Sequence, residues 1–260
     1  PTVAAGAAGT GQIVVGIASD ADGANVKLFD ANGNDITAKF TADTTTAGQV
    51  TFTPKSGQVE YAENITAKIV DGTGAESAAS SSFSYTYDNV APSQTTTLVG
   101  TDDVAPVTGT LSPGASSSAA KPTLTGTLSS ALNTQAGLEE TLKVYAQGPT
   151  DPAAVELGAA TVLGTSWTFT PAANLADGAY TITLRIEDAS GNGTSVGSTT
   201  VTIDTATPTA GTLSFTGLSD TGSAQSPAVT TDDTYSLSLS GQEAGATVTY
   251  QVSTDGATYT

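Results

Sequence analysis

With 25 aspartates and glutamates and neither histidine nor cysteine, this chain of 260 residues can offer a ligand or a reaction little but oxygen. Disulfides, thiolate nucleophiles, thiolate metal sites and imidazole bases are excluded together. Carboxylates mixed with Asn side chains and backbone carbonyls suit a hard dication such as Ca²⁺, which takes about 6–8 oxygens in flexible geometry. Two aspartates recur at matched places. Thr51-Phe52-Thr53-Pro54 is followed by Asp88-Asn89-Val90-Ala91-Pro92, and Thr168-Phe169-Thr170-Pro171 by Asp204-Thr205-Ala206-Thr207-Pro208. The closing Asp lies 34 residues beyond its proline in one copy and 33 in the other, so the unit is a repeat with a carboxylate at each joint.

Charge narrows the partners. Seven basic residues leave a net charge of −18, which repels nucleic acid phosphates and anionic membrane surfaces and attracts cations. No apolar run of about 18 residues marks a membrane span, and no basic-then-apolar segment opens the chain as a signal peptide would. Adjacent Glu139 and Glu140 could suggest paired acid–base carboxylates, but neighbours on a strand point to opposite faces and no aromatic cluster forms a sugar cleft. The expectation is that the chain is not an enzyme.

The elements that must position these oxygens are strands. Thr181–Glu187 and Tyr235–Ser240 alternate apolar and polar residues strictly, as do Ile65, Ala67 and Ile69, and the connections are rich in Gly, Asn, Asp and Pro. This pattern predicts an all-β chain of antiparallel sandwiches, each of roughly 100 residues and seven strands. Aligning the repeats sets Ile13–Ile17, Leu124–Leu128 and Tyr235–Leu239 as equivalent early strands, followed by Val26–Phe29, Leu142–Tyr145 and Val248–Gln251. The domains expected are 1–91, 92–207 and 208–260. The third has only its first strands and lacks the Thr-Phe-Thr-Pro phrase, so it is expected to be part of a sandwich, cut from a longer protein rather than completed by a partner.

Strand order then gathers the carboxylates. In a seven-strand sandwich the loops alternate ends. If Thr181–Glu187 and Thr199–Ile203 are the last two strands of the second unit, the loop carrying Glu187, Asp188 and Asn192 faces the incoming linker and Asp88. At the far end Asp102 and Asp103 would lie near Asp204. Asp20, Asp22 and Asp71 would meet at the entry end of the first unit. Each cluster is a candidate Ca²⁺ site. The competing reading is that Asp bonds its own backbone in a turn. For Asp30, Asp35, Asp177 and Asp255, each in a tight turn beside Gly or Asn, we expect the turn; for Asp88 and Asp204 we expect the metal. Asp220, Asp232 and Asp233 are further acidic candidates. Phe52 and Phe169 are expected to fill cores, leaving Trp167 partly exposed or at a sheet edge.

The runs Asp177-Gly178-Ala179-Tyr180 and Glu187-Asp188-Ala189-Ser190-Gly191-Asn192, with Asp204 to Pro208, resemble the bacterial immunoglobulin-like repeats of giant surface adhesins. Lys121 to Thr127 and Glu243 to Val248 are similar to other phrases of those repeats. The resemblance covers most of residues 92–260, while residues 1–91 match less closely. One phrase departs: Thr231 to Thr234 reads Thr-Asp-Asp-Thr, and the second unit has Ser116 to Ala120 in its place. The resemblance implies tandem immunoglobulin-like β-sandwich domains arranged end to end in a stalk on the bacterial cell surface, with calcium stiffening the joints. The implied partners are neighbouring repeats of the same chain, with a host or surface ligand bound elsewhere in the full protein, and the chain is expected to be monomeric. The alternative is that one domain is itself a glycan- or protein-binding module, which an exposed aromatic patch near Trp167 or a cleft beside Tyr250 would favour.

Overall fold

The computed structural model describes all residues except 7–9, 19–24, 56, 58–59, 106–107, 218, 220–233, 243–245, 254–256 and 259–260. Among the described residues it is built of strands with one short 3₁₀ turn, Thr37–Lys39, and no helix is long and apolar enough to cross a membrane. Residues 1–204 form one compact unit and residues 205–260 another.

The first sandwich faces one sheet of four strands against one of three. The former contains β1 (Thr2–Ala5), β2 (Ile13–Gly16), β4 (Phe40–Asp43) and β5 (Gln49–Pro54) in the order β1-β2-β5-β4. The latter contains β3 (Val26–Phe29), β6 (Glu60–Ile69) and β7 (Phe83–Asp88) in the order β3-β6-β7. Alternation delivers one side of each strand inward. Ile13 lies opposite Phe52 and Val15 opposite Val50 across β2–β5, and all four are fully buried. Phe40 packs edge-on against Phe52 and Tyr85, with ring centroids 6.4 and 5.9 Å apart.

The second sandwich repeats the plan with two sheets of five. β8 (Val99–Asp102), β9 (Gly109–Leu111), β11 (Thr123–Thr127), β14 (Thr161–Leu163) and β15 (Ser166–Phe169) pair in the order β14-β15-β11-β8-β9. Opposite them lie β10 (Ser116–Ser117), β12 (Glu140–Gln147), β13 (Val155–Ala159), β16 (Gly178–Asp188) and β17 (Gly193–Ile203), ordered β10-β17-β16-β12-β13. Leu142 faces Ile186, Val144 faces Leu184 and Ala146 faces Ile182, three buried rungs across β12–β16. The β10–β17 pairing is parallel, Ser116 beside Thr202 and Ser117 beside Ile203.

Trp167 is not at an edge. It lies two residues before Phe169 and therefore shares its face; both are buried, Trp167 at 3% exposure. Its Nε1 donates to Thr96 Oγ1 at 2.7 Å, which satisfies the indole once it is out of water. Gly126 faces it across β11–β15, where a Cβ would lie 2.7 Å from the indole nitrogen and collide with the carbonyl oxygen of Thr97.

In residues 205–260, β18 (Thr212–Thr216) pairs antiparallel with β19 (Ser236–Ser240). The expected strand Val248–Gln251 is not one; among the described residues it has no ladder partner.

Candidate functional site

Where the first sandwich meets the second, two cross-strand pairs of like charge face one another. Glu60 opens β6 opposite Asp88 at the end of β7, and Glu140 opens β12 opposite Asp188 at the end of β16. Like charges directly opposite on a ladder repel. All four line one cleft of about 70 Å³, floored by the linker Val90-Ala91-Pro92-Ser93 and by Leu138. Among the described residues no ion pair joins a lysine or arginine to any of the four: the ion pairs found fall on Asp35, Glu76, Glu156 and Glu187. Burial pushes the Asp88 carboxyl above its usual range, and the charges of Asp188 and Glu140 push it the same way, against the hydrogen bond from the Val90 amide.

Local turn chemistry fixes two of the groups. Asp188 Oδ1 accepts the amides of Ser190 and Asn192, each at 2.9 Å, and Oδ2 accepts Asn192 Nδ2 at 2.9 Å. Gly191 closes this turn at φ +92°, a conformation that glycine adopts without strain. The same arrangement recurs at Asp30, which accepts the amides of Asn32 and Asn34 and the Asn34 side chain. Asp71 repeats it with Thr73 and Ala75. Asp88 Oδ1 accepts the Val90 amide at 2.8 Å, which bends the chain into the linker.

Asp88, Asp188 and Asn192 thus come together as the strand order predicts, although Asn192 arrives as a donor: its Nδ2 also reaches the Asp88 carbonyl oxygen. Glu60 and Glu140 are the members that sequence reasoning missed. Their register opposite Asp88 and Asp188 brings them to the cleft, and no local pattern in the sequence fixes that register.

Glu187 is not brought to the cleft. One residue before Asp188 on the strand, it faces the other way, and it is held by Lys143 at 2.9 Å, Arg185 Nε at 3.3 Å and the Tyr145 hydroxyl at 2.9 Å. The hydrogen bond from Lys143, helped by that from Tyr145, keeps its carboxyl below the usual range.

Asp102 is turned inward at 4% exposure, where it accepts from Val104 N, Ser117 Oγ, Ser118 N and Ser118 Oγ. Burial works to raise its carboxyl, but these four bonds outweigh burial and hold it below the ordinary value. Asp204 does come near it, through the strand between them: the Asp204 amide donates to Ser117 O at 2.9 Å. Asp103 is exposed. Asp71 is exposed within its own turn, and Asp20, Asp22, Asp220, Asp232, Asp233 and Asp255 lie outside the described residues.

Among the described residues no three acidic side chains stand grouped at metal-holding distance. The four carboxylates that line this cleft have no basic ion-pair partner among the described residues, and the buried Gln94 bonds one of them, Glu140 Oε2, through Nε2 at 2.6 Å while its Oε1 has no donor.

No curated protein matches the chain. Residues 104–205, which span most of the second sandwich, match the family model described as a bacterial Ig-like domain.

Proposed function

We propose that this chain is a stalk segment of a large bacterial surface adhesin, in which immunoglobulin-like sandwiches follow one another end to end. Its task is to set distance and carry tension, so that a binding domain elsewhere in the full protein is held out from the cell for adhesion or biofilm formation. Its partners are the neighbouring repeats of the same chain, and the segment is monomeric and extracellular, with no reaction of its own.

One observation carries this reading: two acidic pairs, one from each sandwich, converge on a single cleft at the joint. Glu60, Asp88, Glu140 and Asp188 are the residues that would hold calcium. Bound there, the ion supplies positive charge where the chain's own negative charge is densest. The residues do the rest. Val90 aims Asp88, the Asp188 turn holds its carboxylate rigid, and the short linker leaves the two sandwiches little room to separate. The test is thermal unfolding of the full chain in chelator and in millimolar calcium. Occupation at about 100 times Kd stabilises by about 2.7 kcal/mol per site, so the transition rises in calcium. An unchanged transition refutes the calcium-stiffened joint.

A second reading is favoured by one feature of residues 205–260. A cleft of about 400 Å³ lies beside Tyr250, lined also by Leu213, Leu237, Leu239 and Val248. Tyr250 is half exposed there, and the reading is that this unit binds a glycan or protein directly. Loss of cell or glycan binding on Tyr250→Ala, with unfolding unchanged, would support it.

A further inference from the structure

We propose that the loop Asn133–Gly137 is a clasp that locks the second sandwich onto the first without help from a cation. Three of its residues dock on the joint end of β6–β7, at the first rung, Glu60 opposite Asp88, and the third, Ala62 opposite Thr86. Asn133 Nδ2 donates to Glu60 Oε1 at 2.7 Å, and Gln135 Nε2 to the Ala62 carbonyl at 2.9 Å. Gly137 rests against Thr86, the residue opposite Ala62: a Cβ at position 137 would lie 2.8 Å from Thr86 Oγ1 and 3.2 Å from its methyl group. The Ala62 carbonyl belongs to the part of β6 that β3 leaves uncovered, since β3 pairs only with residues 66–69. The clasp therefore sits on exposed sheet edge, where a docking group gains most by satisfying backbone.

The loop is also held in shape by bonds of its own. The Asn133 amide donates to Glu140 Oε2 at 2.7 Å, the Gln135 amide to Asn133 Oδ1 at 2.9 Å and the Gly137 amide to Glu139 Oε2 at 2.8 Å. Backbone bonds from Glu140 N to Asn133 O and from Leu138 N to Gln135 O close it, and Leu138 is buried beneath. Gly137 takes φ +87°, which turns the chain back toward β12. A loop held by its own bonds loses little freedom when it meets its partner. All the contacts are hydrogen bonds or close packing, and none needs a metal. This proposal stands apart from the calcium reading and holds if that reading fails.

The chain has no cysteine, so two introduced ones carry the only labels. We place spin labels at the exposed sites Thr41→Cys in the first sandwich and Ala154→Cys in the second, in the full chain, and record inter-label distances in chelator. The clasp predicts a narrow distribution with the native loop, which widens about twofold in N133A/Q135A, because weakly joined domains move relative to one another by default. Thr86→Leu, on the exposed side of β7, fills the space against Gly137 and widens the distribution without touching the loop's internal bonds. Retained emission from buried Trp167 confirms that the second sandwich remains folded. A native distribution already as broad in chelator as that of the variants overturns the clasp, as does a narrow one in all variants. If the native distribution is narrow in chelator and calcium does not narrow those of the variants, only the calcium reading falls.

Discussion

The side-chain amide of Asn192 donates to the backbone carbonyl of Asp88 at 3.2 Å while also bonding the carboxylate of Asp188 at 2.9 Å. One residue of the β16–β17 turn thus ties the acid that ends the first sandwich to the acid that shapes the second. Because the Asp88 contact is through the main chain, its carboxylate remains turned to the acidic cleft.

Asp88→Asn keeps an oxygen for the Val90 amide and removes a charge facing Asp188 and Glu140. Burial first, then those neighbours, raise the folded-state carboxyl pKa above the usual value, so the ionised form costs stability at neutral pH. That cost disappears as the pH falls through the folded pKa toward 3.8. In chelator, D88N is therefore at least as stable as the native chain at pH 7, and the native chain gains on it as the solution is acidified toward pH 4. Urea midpoints across that range check the sign. A marked loss for D88N at neutral pH in chelator contradicts it.

Asp102→Ala strands the buried Ser117 hydroxyl and the half-buried Ser118 amide, and costs about 2–3 kcal/mol at neutral pH. The sign with pH is opposite to that of Asp88. A carboxyl held low by its hydrogen bonds contributes its stability fully above 3.8 and loses it as the pH falls through the folded value. The gap between native and D102A chains consequently stays constant down to about pH 4 and narrows only below it, as paired denaturant titrations should reveal.

Trp167 is the only tryptophan and lies in the core of the second sandwich. Its emission is expected at short wavelength in the native chain and to move to the red on unfolding. Emission typical of exposed indole in the native chain would contradict the packing. Trp167→Ala costs about 3–5 kcal/mol by emptying the space beneath β11.

Gly126→Ala drives a methyl group into the Thr97 carbonyl and the indole, neither of which can move without disturbing the sheet. The expected loss is about 3 kcal/mol. Gly100→Ala is the contrast, because its Cβ would meet Leu111 atoms at an ordinary 3.4 Å. That variant should unfold within about 1 kcal/mol of the native chain. Equal losses for the two would remove the steric explanation.

Much of this arrangement was legible in local pattern. Ile182, Leu184 and Ile186 announce a strand with one buried face, and Asp188 to Asn192 announces its turn. Trp167 stands two residues from Phe169, a spacing that puts both on one buried face. The same alternation turns Glu187 away from the joint, because only one of two successive strand residues can face it. Glu140 was harder to place. Its position opposite Asp188 depends on a pairing between strands far apart in sequence, which alternation within either strand does not fix. The clasp was invisible for a related reason: Asn133 and Gln135 reach Glu60 and Ala62 over 73 positions, and nothing in a polar loop names its distant acceptor.

The parallel pairing of β10 with β17 has a consequence for how the second sandwich resists pulling. The chain passes through β10 soon after entering this sandwich and through β17 just before leaving it. Tension between residues 92 and 204 would therefore draw these neighbouring strands in opposite directions along their length. The bonds from Gly114 N to Thr200 O, Thr202 N to Ala115 O and Asp204 N to Ser117 O then share the load in shear. They would have to yield together rather than peel apart one by one.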